Sequence, residues 1–418
     1  MLEEYNWAGN LRYCAAEVAQ PSTLDELSAL VSAAPSVRAV GTRHSFNDIA
    51  DSAGVLVSLE KLEGEPVLDR QARTVTVTAG TRYGDLAAFL VRHGYALHNL
   101  ASLPHISVAG AVATGTHGSG NRNGNLASAV AALELLTADG QVVRVDRSSP
   151  EFNGMVVSLG ALGIFTRITL DVEPAYEVRQ DVFTDLPWES VEENFDAITS
   201  AAYSVSIFSS LAGPSATQVW LKGRTDRELP YAGAADFFGG TAAAEPMHPL
   251  PGMSAVNCSQ QMGVAGSWSD RLAHFRLAFT PSNGDELQSE YLVERGAALE
   301  ALSILRGMSV EITPLLQVCE IRTMARDDLW LSSSYGQDTV GFHFTWKPQQ
   351  ADVEALLARM EAALAPLKPR PHWGKLFTLE RDELQGLYPR FGDFQELARR
   401  MDPDRKFVNA FLGRKVLG

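Results

Sequence analysis

The sequence predicts an α+β protein with more than one unit. Helix and strand signals alternate up to about residue 95, a glycine-rich stretch and a closing strand fill 96–176, and strand-like pieces separated by long helices follow Pro174. At 418 residues the chain exceeds what one core usually serves, so two or three domains are expected. A hydrophobic content of 45%, with 34 glycines and 20 prolines, argues against a disordered or fibrous chain.

The first element is a helix in "TLDELSALVSAA": Thr23 and Glu26 form a capping-box pattern, and Leu24, Leu27, Leu30 and Val31 share one face. "VRAVG", "GVLVSL" and "TVTVTAG" read as strands, and "YGDLAAFLVRHG" reads as a helix closed by Gly94. Residues 10–95 are therefore expected to form a small α/β subdomain. A second, 96–176, ends in the strand "GIFTRITLDVE", where Ile164, Thr166, Ile168 and Leu170 alternate with Phe165, Arg167 and Thr169. Residues 177–370 read as an α+β cap with strands at "YSVSIF", "TQVWLKG", "QVCEIRTM" and "VGFHFTW". Within it, 231–253 is rich in Ala, Gly and Pro and reads as a long loop. Residues 371–418, with a helix near "FGDFQELARRM", are expected to return to the first domain.

Fifty acidic against 35 basic side chains give a formal charge of -15, which repels polyanions and points to a small ligand, not nucleic acid or an anionic membrane. No run approaches the ~20 apolar residues of a membrane span, and the N-terminus lacks a signal core, so a soluble, cytoplasmic protein is expected; it is also expected to be a monomer. Cys14, Cys258 and Cys319 are odd in number and lack C-x-x-C spacing; they are expected reduced and mostly buried, with no metal site.

Residues 101–128, "ASLPHISVAGAVATGTHGSGNRNGNLAS", leave backbone N–H groups free to approach a phosphate, although a glycine-rich hairpin loop is an equal alternative. The spacing Gly118, Gly120, Gly124 is not the Rossmann fingerprint, and no P-loop is present. In "CEIR", Glu320 and Arg322 are i and i+2 on a strand and project from one face, where they could order a polyol or merely pair on the surface. The same parity puts His343 and Thr345 of "HFTW" together. Lys375 of "HWGK" follows Gly374, where backbone can come close; a lysine is ordinarily a solvated surface group.

Taken in order, "GTRHSFN", "SLPHISVAGAVATGTHGSG" and "SLGALGIFTRITL" resemble the FAD domain of the vanillyl-alcohol-oxidase (PCMH-type) flavoprotein superfamily, and "CEIRT", "HFTW" and "RPHWGK" resemble its alditol oxidase branch, close to the sugar-1,4-lactone oxidases. The resemblance implies a two-subdomain FAD-binding domain plus a cap with a mainly antiparallel sheet. It implies that His44 is joined through its ring to the flavin 8α-methyl. Gly41, Thr42, Arg43, Ser45 and Phe46 would line the pyrophosphate and ring side. Ser102, Ser107, Gly110, Thr114, Gly115, Thr116, His117 and Gly118 would continue the cradle, with Ile164 near the adenine and His372 also at the cofactor. Thr42-Arg43 stands where the superfamily favours small residues.

On that resemblance the expected reaction is hydride removal from the terminal carbinol of an acyclic polyol, with oxygen reduced to peroxide. Arg322 and Lys375 would stabilise the developing alkoxide; Glu320, Thr345 and Ser102 would read neighbouring hydroxyls. A lactone-oxidising enzyme and a non-catalytic flavin-binding protein remain the alternatives.

Overall fold

A computed structural model describes residues 5–279 and 286–418. The first helix forms at Leu24–Ala33, capped by Thr23, whose side chain accepts from the Glu26 backbone. Glu26 reaches one residue further back than a capping box requires and takes the Ser22 N–H at 2.8 Å. The second helix, Tyr83–His93, ends on Gly94 at φ 79°, the left-handed conformation a C-terminal glycine supplies.

Strands Glu17–Ala19, Val37–Val40 and Val55–Ser58 form a small parallel sheet. The strand Thr74–Thr78, expected within the first subdomain, instead pairs antiparallel with Ile164–Asp171. The second sheet, completed by Val67–Asp69, Val130–Leu136 and Val142–Asp146, thus draws strands from both sides of residue 95. Alternation fixes which face a strand buries but not its partner, so this crossing was not readable locally. Helix Phe391–Met401 and the end of the chain place Phe394, Leu397, Phe407 and Phe411 in the same core as these two sheets. Lys406 joins Val31 and Ala138 there through their carbonyls.

The largest sheet carries six long strands: β1 (Glu177–Pro187), β2 (Ser204–Ser209), β3 (Ser215–Arg224), β4 (Leu287–Glu294), β5 (Leu316–Met324) and β6 (Thr339–Trp346). Their spatial order is β1-β3-β2-β5-β6-β4, antiparallel throughout. One face is apolar: Ile207, Val219, Leu221, Ile321, Phe342, Phe344 and Tyr291 pack with helices Trp188–Thr199, Ala298–Gly307 and Gln350–Leu364. The opposite face carries the polar side chains described below. Within 231–253, Asp236–Phe237 and Gly240–Ala242 form a hairpin that extends this sheet beyond β1, correcting the reading of an unbroken loop. Phe237, fully buried, anchors it. Cys258 and Cys319 are buried, but Cys14 is exposed. Among the described residues no helix is long and apolar enough to cross a membrane.

Candidate active site

A cavity of about 1090 Å³ runs from the two smaller sheets to the polar face of the large one. At its first end, Gly41 to Phe46 form a turn after strand Val37–Val40. Arg43 there has φ 61°, a left-handed conformation that a Cβ penalises by roughly 1–2 kcal/mol, which explains why smaller residues suit the position. His44 stacks on Trp7 with ring centroids 5.2 Å apart, and its Nδ1 lies 3.0 Å from Thr42 Oγ1. Its Nε2 is buried and meets no partner. Burial, with His105 nearby, lowers the imidazole pKa to about 4, so the ring is neutral.

The glycine-rich segment supplies the adjoining wall and is not all loop. Val108–Ala113 is a short helix, whose N-cap Ser107 accepts from Gly110 N. Ser107 N in turn donates to Thr42 Oγ1 at 3.2 Å, and a Cβ on Gly41 would run into Ser107 Oγ, so the two segments lie backbone to backbone. Ser102, Thr114, Thr116, His117, Ile164 and His372 also line the cavity. Gly115 and Gly118 do not: Gly115 turns the chain at φ 65°, and Gly118 lies against Leu100 O and the Asn99 side chain.

The second end is built by register. β5 pairs Glu320 with His343 of β6, and β4 pairs Glu290 with the same His343, so three polar side chains stand in one row. Arg322 faces Gly341 across β5 and β6; with no side chain there, its guanidinium crosses β6 and reaches Glu290 Oε1 at 2.9 Å. Glu290 also takes Lys375 Nζ at 2.6 Å, and His117 Nε2 lies 3.2 Å from Oε1 without hydrogen-bond geometry. Lys375 Nζ is 2.7 Å from His343 Nδ1, and His343 Nε2 is 3.3 Å from Thr345 Oγ1. Arg322 Nη1 lies 3.5 Å from Ser102 Oγ, and its Nε, 3.6 Å from Glu320 Oε2, has no hydrogen-bond partner.

Lys375 is fixed from the histidine turn: Phe46 N donates to Gly374 O, and Asn47 Nδ2 donates to Trp373 O and Lys375 O. Glu320 and Arg322 are 4% and 5% exposed, which removes the surface-pair alternative. Burial opposes the charge of Glu290, but Lys375, His117 and Arg322 outweigh it and hold the carboxyl well below the ordinary range. Glu320 is likewise held down against burial by Arg322 and His274. Burial lowers the Lys375 pKa, while Glu290 pulls it back up. Two carboxylates thus face two cations in a desolvated pocket, the setting in which charges act most strongly on a bound ligand.

Glu290 and His274, which bonds Glu320, were missed in the sequence. The signal for Glu290 was present: Glu286, Gln288 and Glu290 alternate in "ELQSEYLVE", as Glu320 and Arg322 do in β5. His274 had none, since it lies in an irregular segment whose only marker is one histidine. At the outer mouth, Pro249, Leu250, Phe275 and Met253, the last 57% exposed, line the cavity.

Residues 15–146 match the family described as FAD binding domain, and 284–415 the one described as D-arabinono-1,4-lactone oxidase. An alditol oxidase of Streptomyces sp. is 50% identical over 410 residues, 97% of each chain. The L-gulonolactone oxidase of Bos taurus is 27% identical, over 97% of this chain and 96% of its own. Among solved structures, cholesterol oxidase from B. sterolicum superposes with a TM-score of 0.79 at 15% identity, covering 98% of this chain and 95% of the other, a likeness of fold.

Proposed function

This chain belongs to the alditol oxidase family and is an FAD-dependent oxidoreductase acting on CH–OH groups; from that premise we propose that it converts the terminal hydroxyl of alditols such as xylitol and sorbitol to the aldose, with oxygen reduced to hydrogen peroxide. The observation that carries the reading is convergence. Ser102, Glu320, Arg322, Thr345 and Lys375, from four separate segments, line the same cavity as the glycine-rich wall and His44.

The cavity fits the cofactor. Its volume exceeds that of typical small-ligand pockets, Gly41 and Gly110 bring backbone to the wall, and the unpartnered Nε2 of a neutral His44 leaves a nucleophilic ring nitrogen. Residues 41–46, Ser107, Gly110, Thr114, Thr116, Ile164 and His372 would hold FAD, with His44 as the covalent attachment point. Bound FAD supplies the acceptor for a hydride from the carbinol carbon.

The protein residues do the rest. Arg322 and Lys375, both lining the cavity, bring two positive charges to the reacting hydroxyl and stabilise the negative charge that builds on its oxygen. Glu290 fixes their spacing without touching the substrate. Glu320 accepts from neighbouring hydroxyls and Thr345 and Ser102 complete the reading, so deoxy analogues leave buried groups unpaired and bind poorly.

The test is anaerobic flavin reduction by xylitol in stopped flow. Arg322→Ala and Lys375→Ala should each slow it ~100-fold or more, about 3 kcal/mol of charge stabilisation, and the double variant should fall far short of additivity. Wild-type reduction rates in both single variants would overturn the assignment. The match of 284–415 to a lactone oxidase keeps a second reading open. Preference for L-gulono-1,4-lactone over xylitol would establish it.

A further inference from the structure

Lys222 is 1% exposed, touches neither Lys375 nor Glu290, and belongs to no part of the reaction described so far. It stands on the polar face of β3, and its Nζ meets three groups: Leu272 O at 2.7 Å, Ala273 O at 2.9 Å and His274 Nδ1 at 3.1 Å. On the far side of that ring, His274 Nε2 lies 2.7 Å from Glu320 Oε1. The same segment is tied to Ser102, whose carbonyl accepts the His274 and Phe275 N–H groups.

The proton positions follow from counting donors. The two carbonyls can only accept, so they use two Nζ hydrogens. If Lys222 is an ammonium, its third hydrogen goes to Nδ1, and His274 carries its own proton on Nε2 and donates it to Glu320. If Lys222 is neutral, Nδ1 must hold the proton; then either Nε2 is bare and faces a Glu320 that must itself be protonated, or the ring is an imidazolium, which burial disfavours. Arg322 beside Glu320 favours the carboxylate, so the first arrangement stands.

We propose that Lys222 is a positioning residue for substrate recognition: it locks His274 in the Nε2–H tautomer, and His274 thereby occupies one lobe of the Glu320 carboxylate and aims the other at the polyol hydroxyls. The proposal rests on the reading of Glu320 as the polyol-binding carboxylate. It separates recognition from catalysis in the cluster, because the Lys222–His274 pair acts on Glu320 while Glu290 acts on Arg322 and Lys375. A second lysine–histidine pair, Lys375 with His343, shows the same order of atoms toward Thr345.

Two measurements test it. In wild-type holoenzyme labelled with ¹⁵N-histidine, the His274 signals, assigned by their loss in His274→Gln, should show an unprotonated Nδ1 and a protonated Nε2 on the acid side of neutrality. An Nδ1–H tautomer or a doubly protonated ring overturns the proposal. In kinetics, Lys222→Met should raise the KM for xylitol on the order of 10-fold, the scale of one hydrogen bond involving a charged group, with a smaller change in kcat. Lys222→Met should add little to the KM of Glu320→Gln, since both act through one carboxylate. Full additivity, or a kcat loss without a KM rise, overturns the proposal. If Glu320→Gln itself leaves KM unchanged, the polyol-binding reading fails, and that result is distinct from a Lys222 variant without effect beside an impaired Glu320→Gln.

Discussion

Glu290 meets Arg322 and Lys375 with one carboxylate while nearly excluded from water, so its removal has effects that can be measured separately. Glu290→Gln leaves two buried cations without their counter-charge, and breaking such a pair costs about 3–5 kcal/mol of stability, to be read as a lower urea midpoint at unchanged slope. It also acts on Lys375. Glu290 raises that pKa against burial, so without the carboxylate the pKa falls further, and the alkaline limb of the flavin-reduction profile should move to lower pH. An unmoved limb would show that Lys375 is not the titrating group. The place of Arg322 and Lys375 in the cavity was legible mainly because "CEIRT" and "RPHWGK" resemble alditol oxidase motifs; strand parity alone put Glu320 and Arg322 on one face, and Lys375 alone read as a surface group. Glu290 was less so, because its partners lie on other segments and only folding shows that it meets them.

Among the elements, β6 does most to shape the site through the side chain it lacks. Gly341 lies between Arg322 on β5 and Glu290 on β4, and a Cβ there would stand 3.1 Å from Glu290 Oε1 and 3.5 Å from Met324 Cε. Gly341→Ala should keep the sheet, since the backbone there needs no left-handed conformation, yet push Arg322 and Glu290 apart. The expected cost is ~1–3 kcal/mol of overpacking, with slower flavin reduction and little change in xylitol KM. Equal rates in Gly341→Ala and wild type would mean that the crossing guanidinium adjusts freely. The alternation of β2, β3, β5 and β6 was visible in the chain, as were both early helices. The hairpin of Asp236–Phe237 and Gly240–Ala242 was not, because Ala and Gly carry no alternation and only Phe237 marks its buried side. Nor was the pairing of Thr74–Thr78 with Ile164–Asp171, which depends on residues ninety positions away.

Across the whole molecule, the cofactor wall and the substrate wall are joined by backbone. Gly120 N donates to Thr323 O at 2.8 Å, Ala325 N to Asn123 O at 2.9 Å, and Phe46 N to Gly374 O at 2.8 Å. Ligand at one wall should therefore stabilise the entire fold. If the proposed His44 tether forms, acid-precipitated wild type should keep its yellow colour and its Tm should not depend on added FAD. His44→Ala should release flavin on precipitation and show a Tm that rises with free FAD, by about 2.7 kcal/mol of stability at a hundredfold excess over Kd. A colourless wild-type precipitate would refute the tether. The exposed Cys14 bears on a different matter, the survival of the catalyst in the peroxide that the proposed reaction would release. Its thiol donates to Asp51, 3.0 Å away, and that bond with burial raises its pKa, so the thiolate that attacks peroxide is scarce. Cys258 and Cys319 are shielded, their thiols pushed up by burial. Oxidative wear should then begin at a thioether: Met253, on the cavity mouth and 57% exposed, stands where peroxide would leave. After prolonged turnover, peptide mass mapping should find one added oxygen on Met253 ahead of any cysteine oxidation, and Met253→Leu should lengthen the working life of the enzyme without altering its initial rate.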